Sequence, residues 1–344
     1  MDLGLYRIIY AVATLLTVPD IQWVTKYPDA AIHAPLGPLL LISGFPSSAV
    51  LVALEVLRSF ALALLAVGLW TRFVSVAVTV LLLATYGLTY TLGKIDHTIL
   101  IVLAPLILSF AHWGRSVSID ALLSRRASAS QPQWPLRFLA LVVGLSFFAA
   151  AFMKFATGWL SPTTQAALGH ILARYYSSDS MPWSVQWVPA TTQFRLAWEV
   201  TDWLTVAMEL AILFTVPWWR AFRIALAAAV LFHLGVLLAT NIVFSFNVVV
   251  YGAFVSWAEL CRPLGAAPIV KRAIDRFAAM QLNRGAALLV ALFAFALSGV
   301  TWFVTSTIPA IGATCSVLII LAGTAVGVGY LLRQAVFVAP KPIS

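Results

Sequence analysis

The chain has 344 residues, of which 62% are hydrophobic and only 10% charged. A soluble domain carries about 25% charged residues, so this composition excludes a water-soluble globular protein. The net charge of +9 does not point to nucleic acid, because the Lys and Arg residues lie in short loops between apolar runs and not along a face interleaved with aromatics.

The apolar runs predict an all-α polytopic membrane bundle of about ten transmembrane helices, near residues 3–18, 46–70, 73–92, 97–113, 136–157, 196–218, 221–240, 243–259, 285–304 and 309–332. Asp2 precedes the first run and no basic n-region does, so this run is expected to remain as a helix. The stretch 34–45, APLGPLLLISGF, is too short and too rich in Pro and Gly to span, and reads as interfacial or re-entrant. With the N-terminus inside, most Lys and Arg fall in inside loops, and Lys26, Lys94, Arg174 and Arg195 remain outside. That bias predicts a multi-pass protein of the plasma (inner) membrane with both termini cytoplasmic. Two regions are expected: residues 1–259, and residues 260–344 with a basic cytoplasmic loop, two further helices and a short tail. The basic segment 260–284 suits contact with anionic lipid. Outside, residues 163–178 read as an amphipathic helix lying on the membrane, or as a simple connector. Cys261 and Cys315 form no motif, and neither a disulfide nor a metal site is expected.

Ionisable residues inside apolar runs are functional candidates by default. Lys154 lies in VGLSFFAAAFMKFATGWL, after Ala149, Ala150 and Ala151 and five residues before Trp159. A lysine at a bilayer centre costs about 2.5–3.5 kcal/mol. It either snorkels to the headgroups from the helix end or serves a polar cavity, and the small alanines suggest a close neighbouring helix. Asp96 and His97 open the fourth helix, where Asp96 reads as an N-cap. His233 lies deep in the seventh, where packing and chemistry are both open readings. Glu199 and Asp202 share a face of the sixth helix. Glu209, near its middle, must be paired or protonated. Glu55 and Arg58 read as an ion pair, and Arg7 as snorkelling. Asn241 flanks the turn between helices seven and eight. The predicted topology puts Lys154, His97 and His233 in one outer slab of the membrane, as a shared cavity would.

These same residues carry a family resemblance. DLGLYRIIYAVATLL, VGLWTRFVSVAVTVLLL, DHTILIVLAPLILSFAHWGRSVSID, FFAAAFMKFATGW and LFHLGVLLATNIVFSFNVVVYGAF follow in order over residues 2–259. Together they resemble the membrane domain shared by vitamin K-dependent gamma-glutamyl carboxylase and the HTTM-domain proteins. The resemblance implies Lys154 as the base that deprotonates reduced vitamin K or menaquinol, with His97 beside the quinol and His233 lining the same cavity. Oxygen then converts the quinol to an epoxide through a strongly basic alkoxide, which takes a proton from a glutamate side chain before carbon dioxide adds. Asp96, Glu199, Asp202, Asn241 and Trp159 are the candidate quinol- or substrate-binding residues. Asp96 stands where the carboxylase has an asparagine, and the chain continues into two apolar helices where the carboxylase has a large lumenal domain. Membrane lipid, a quinone and a separate substrate or soluble partner protein are the expected partners. The competing reading is a non-catalytic protein that binds a lipid, a quinone or a partner, or passes a small solute. It predicts a protonated Lys154 paired with Asp96 or Glu199.

Overall fold

A computed structural model describes residues 2–35, 37–124, 132–177, 188–265 and 283–338. Arg125, Arg126, Lys271, Arg272, Arg276 and Lys341, with most of the basic segment 260–284, lie outside the described residues. Among the described residues every regular element is helical. Fifteen α-helices follow one another: α1 (Asp2–Thr17), α2 (Ser48–Val67), α3 (Thr71–Ala84), α4 (Ile99–Ser109), α5 (Ile119–Ser124), α6 (Trp134–Ala156), α7 (Ala166–Ser177), α8 (Val188–Thr191), α9 (Arg195–Thr215), α10 (Trp219–Thr240), α11 (Ser245–Tyr251), α12 (Trp257–Leu260), α13 (Arg262–Gly265), α14 (Arg284–Thr307) and α15 (Pro309–Val338).

Seven segments among the described residues are long and apolar enough to cross a membrane: Leu3–Lys26, Ser48–Val67, Thr71–Leu92, Trp134–Ala156, Trp219–Thr240, Gly285–Thr307 and Pro309–Ala335. The other three expected spans differ for separate reasons. The fourth shortens to the 11 residues of α4, which carries Pro105 inside it. The eighth breaks into α11, a 3-10 turn at Gly252–Phe254 and α12. The sixth, α9, has 21 residues but carries Glu199, Asp202 and Glu209. Large apolar side chains such as Leu288, Leu292, Phe293 and Phe303 on α14 face outward. In water such a surface would be a liability, whereas lipid tails solvate it. The stretch 34–45 forms only short 3-10 pieces and no span.

The chain divides into two compact units, Met1–Leu136 with Val249–Cys315, and Arg137–Val248 with Ser316–Ser344. In the first unit α1, α2, α3 and α4 pack successively on one another, and α14 lies along α2. Arg7 does not snorkel as expected. It is fully buried, and its guanidinium donates to the carbonyls of Val117 (2.6 Å), Ala66 (3.4 Å) and Trp113 (3.4 Å). Three carbonyls take the place of water around the two terminal nitrogens, while Nε stays buried without a partner. The expected Glu55–Arg58 ion pair is also absent. The Glu55 carboxylate instead accepts from Ile21 N–H at 2.9 Å, Gln22 Nε2 at 3.3 Å and Trp302 Nε1 at 3.3 Å, and Arg58 donates to Thr85 Oγ1 at 3.1 Å. A carboxylate between a chain turn and two helices gains more from several donors than from one neighbour on its own helix. Trp302 thereby ties α14 to α2, and Phe60 and Phe295 meet edge-on along the same seam at 5.2 Å.

In the second unit α6 and α9 run antiparallel. Gly144 marks a close approach, since a Cβ there would lie 3.0 Å from Leu213 Cα. Close packing was expected at Ala149–Ala151, but Ala149 is exposed and only Ala151 is buried. Helical geometry explains the difference, because Gly144 lies nearer the buried stripe than Ala149 does. At one end of this unit the Arg137 guanidinium stacks on Trp219 at 4.3 Å, with Arg223 on the same ring at 5.5 Å. Lys154 and α7 lie toward the other.

Candidate functional site

Lys154 occupies the last turn of α6, on a stripe formed with Val143, Phe147 and Ala151. Steps of four, four and three residues keep these side chains on one face. On α9 the buried polar stripe is Asp202, Thr205 and Glu209. The two stripes meet where Lys154 Nζ donates to Glu209 Oε1 at 2.5 Å, the one ion pair among the described residues. The side chains are 21% and 7% exposed, so the carboxylate is the deeper partner.

The five-residue step from Lys154 to Trp159 has a local cause. Gly158 adopts φ +78°, Trp159 N–H donates to Lys154 O at 3.0 Å, and Gly158 N–H donates to Phe155 O at 3.4 Å. This pair of bonds is a Schellman helix end, with glycine in the left-handed position. The turn folds the Trp159 ring back to 5.4 Å from Lys154 Nζ, within cation–π range. His170 on α7 stacks on the Trp159 ring, with centroids 5.0 Å apart and planes at 28°. Imidazole and ammonium thus both contact the same indole near the end of α6.

Asp202 holds α7 in place. Its two oxygens accept from Ala166 N–H at 2.9 Å and Ala167 N–H at 2.8 Å, a carboxylate on the first turn of a helix. Leu168 and Ile171 on α7 then bury against Leu172, Tyr175, Trp198 and Ala239. The amphipathic helix expected at 163–178 is therefore present as α7, resting on α9 and α10.

The remaining candidates are distributed as follows. His233 is buried on α10 with its ring stacked on Phe244 at 4.6 Å and on Phe147 at 6.1 Å. Phe147 shares the Lys154 face but lies seven residues earlier, about 10 Å of helix rise, so His233 sits deeper than the amine. Glu199 is half-buried with Oε1 unpartnered. Asn241 is exposed, and its left-handed backbone (φ +56°) closes α10 through its N–H to Leu237 O. Asp96 and His97 belong to the first unit. Asp96 Oδ1 accepts from Thr98 N–H at 2.9 Å and Thr98 Oγ1 at 2.5 Å, so it forms a turn just before α4. Burial lowers the His97 imidazole below its usual value, Asp96 opposing and Lys94 adding to the shift.

Sequence reasoning singled out Glu209 and Lys154 separately and matched Lys154 with other carboxylates. The available signal was the seven-residue step from Asp202 to Glu209, which puts both on one face of α9. Among the described residues no group of three or more His, Cys, Asp or Glu is placed to hold a metal. The two residues that touch Lys154 each keep one buried polar atom without a partner, Trp159 Nε1 and Glu209 Oε2. A donor and an acceptor left over beside an amine suit a ligand hydroxyl, which both gives and takes a hydrogen bond.

A polytopic helical membrane protein with a buried Lys–Glu pair capped by a surface helix is the class that fold and site define. Within that class the chain belongs to the HTTM-domain family, whose model matches residues 2–262. No curated protein and no solved structure matches the chain.

Proposed function

We propose that the Lys154–Glu209 pair is a membrane-embedded proton acceptor for a reduced quinone, in a quinol- and oxygen-dependent carboxylase-like reaction or a quinone-linked reaction derived from it. The 2.5 Å contact between the two side chains carries the proposal. A proton passing from Lys154 Nζ to Glu209 turns the ammonium and carboxylate into an amine and a carboxylic acid. The amine lone pair then takes the proton of a ligand hydroxyl, and the pair ends as ammonium and carboxylic acid. The proton is exchanged within the contact, so the base is the pair and not the lysine alone. Trp159 Nε1 and Glu209 Oε2 would hold the hydroxyl, and α7 would keep water out. When bound, the reduced quinone supplies the oxygen chemistry that the protein side chains lack.

The helix-end position of Lys154 favours a second reading. A cation in the last turn of a helix is stabilised there without any chemistry, and a lysine held as an ammonium by Glu209 suits a non-catalytic protein that binds a lipid, a quinone or a partner. The test is purified protein with reduced menaquinone and oxygen, read as epoxide, for the parent chain and for Lys154→Ala and Lys154→Arg. The proton-acceptor reading expects epoxide from the parent chain and none from either variant. Epoxide retained by the arginine variant, or none from the parent where a true carboxylase forms it, gives the second reading.

The membrane orientation belongs to the same proposal: plasma (inner) membrane, both termini cytoplasmic. Arg7 beside the end of α2, and the antiparallel run of α14 along α2, put the starts of α1 and α14 at one end of the first unit. A reporter active only in the cytoplasm, fused after Ser344, should be active.

A further inference from the structure

At the opposite end of the first unit from Arg7 lies an open cavity of about 360 Å³. Trp23, Tyr86, Tyr90, Leu92, Lys94 and Asp96 are among its walls. Two membrane-crossing segments, Leu3–Lys26 and Thr71–Leu92, end there, so the cavity sits at a bilayer–water boundary, where Trp and Tyr collect. Both charged walls have unused capacity. Lys94 makes no ion pair among the described residues. Asp96 spends Oδ1 on both bonds from Thr98, which Tyr90 Oη also holds at 2.8 Å, and Oδ2 makes no hydrogen bond among the described residues. One cation and one carboxylate therefore face the same cavity without pairing with each other.

We propose that this cavity binds the headgroup of a zwitterionic aminophospholipid, with its phosphate at Lys94 and its ammonium at Asp96. The proposal is independent of the chemistry at Lys154. The argument is complementarity of charge and of hydrogen bonding. An anionic headgroup would satisfy Lys94 but meet repulsion from Asp96. A quaternary ammonium would suit the faces of Trp23, Tyr86 and Tyr90, yet it has no N–H to give Asp96 Oδ2. A primary ammonium has three. A lipid is favoured over a free zwitterion because Leu92, Ile21 and Pro19 line the same cavity and would bury the glycerol end. The volume lies at the lower end of the roughly 300–1,000 Å³ typical of ligand pockets, which suits a headgroup and not a whole lipid.

The experiment is native mass spectrometry of the full chain, titrated in turn with phosphatidylethanolamine, phosphatidylcholine and phosphatidylglycerol. Phosphatidylethanolamine should bind about tenfold more tightly than either of the others, the scale of one charge-assisted hydrogen bond. Asp96→Asn, which keeps an oxygen for Thr98, should erase the preference over phosphatidylcholine. Lys94→Gln, at an exposed position, should weaken both zwitterionic lipids alike while leaving the melting temperature unchanged. Equal binding of all three lipids by the parent chain, or an unaltered preference in Asp96→Asn, overturns the proposal. So does competition by free phosphoethanolamine at the same concentration as the lipid, which would assign the cavity to a soluble zwitterion.

Discussion

Lys154 and Glu209 stand 55 positions apart in sequence and 2.5 Å apart in space, the lysine at the C-terminal end of α6 and the glutamate in the buried stripe of α9. Removing one member of a buried pair strands the other, at a cost of about 3–5 kcal/mol. Because a fifth of Lys154 is exposed, Glu209→Ala should cost less, about 2–3 kcal/mol. The Lys154→Met, Glu209→Leu double variant should lie within about 1 kcal/mol of the parent chain, since no charge is left unpaired. Unfolding in detergent micelles measures both. A double variant as unstable as Glu209→Ala would show that the cost is not that of a stranded charge.

The attachment of α7 depends on Asp202. Asp202→Ala removes two charge-assisted bonds from the first turn of α7, a loss of about 1–2 kcal/mol for a helix cap. Deuterium exchange within 166–177 should therefore accelerate roughly tenfold or more, while α2 and α3, in the other unit, keep their protection. Asp202→Asn should fall between, because one amide oxygen still accepts.

In the first unit, Glu55 is the acceptor for Ile21 N–H. Glu55→Leu leaves that buried N–H unpaired and should cost about 1–3 kcal/mol. Trp302→Phe removes only a long bond of 3.3 Å and should cost under about 1 kcal/mol. The ordering of the two variants in thermal unfolding is the measurement. A larger loss from Trp302→Phe would mean that α14 is held by the indole's packing and not through Glu55.

The pH dependence of stability should carry a contribution from His97. Burial holds its folded-state pKa below that of the unfolded chain, so between the two values the unfolded state binds more protons. The His97 contribution is thus complete above the unfolded value of about 6.5 and declines as pH falls toward the folded one. His97→Gln should flatten the fall in stability between about pH 7 and pH 5. A slope identical to that of the parent chain would place the ring in solvent.

The sequence by itself determined the class and the helices. Apolar length, breakers such as Pro19 and the shortage of charge are local properties, and the bilayer makes helix the outcome for each long apolar run. Seven of the ten expected spans have a counterpart among the long apolar segments, and α7 was legible from its amphipathic pattern. Lys154, Asp202 and Glu209 were each conspicuous for the same reason, an ionisable group in an apolar run. Only the tertiary structure decided what those groups do. It paired Lys154 with Glu209 and not with Asp96 or Glu199, bent Trp159 over the amine, spent Asp202 on two amides of α7, and gave Glu55 to Ile21 in place of Arg58. Those outcomes turn on which helix faces meet and at what height. Such contacts bring together residues tens of positions apart, and hydropathy and spacing along a single helix carry no record of them.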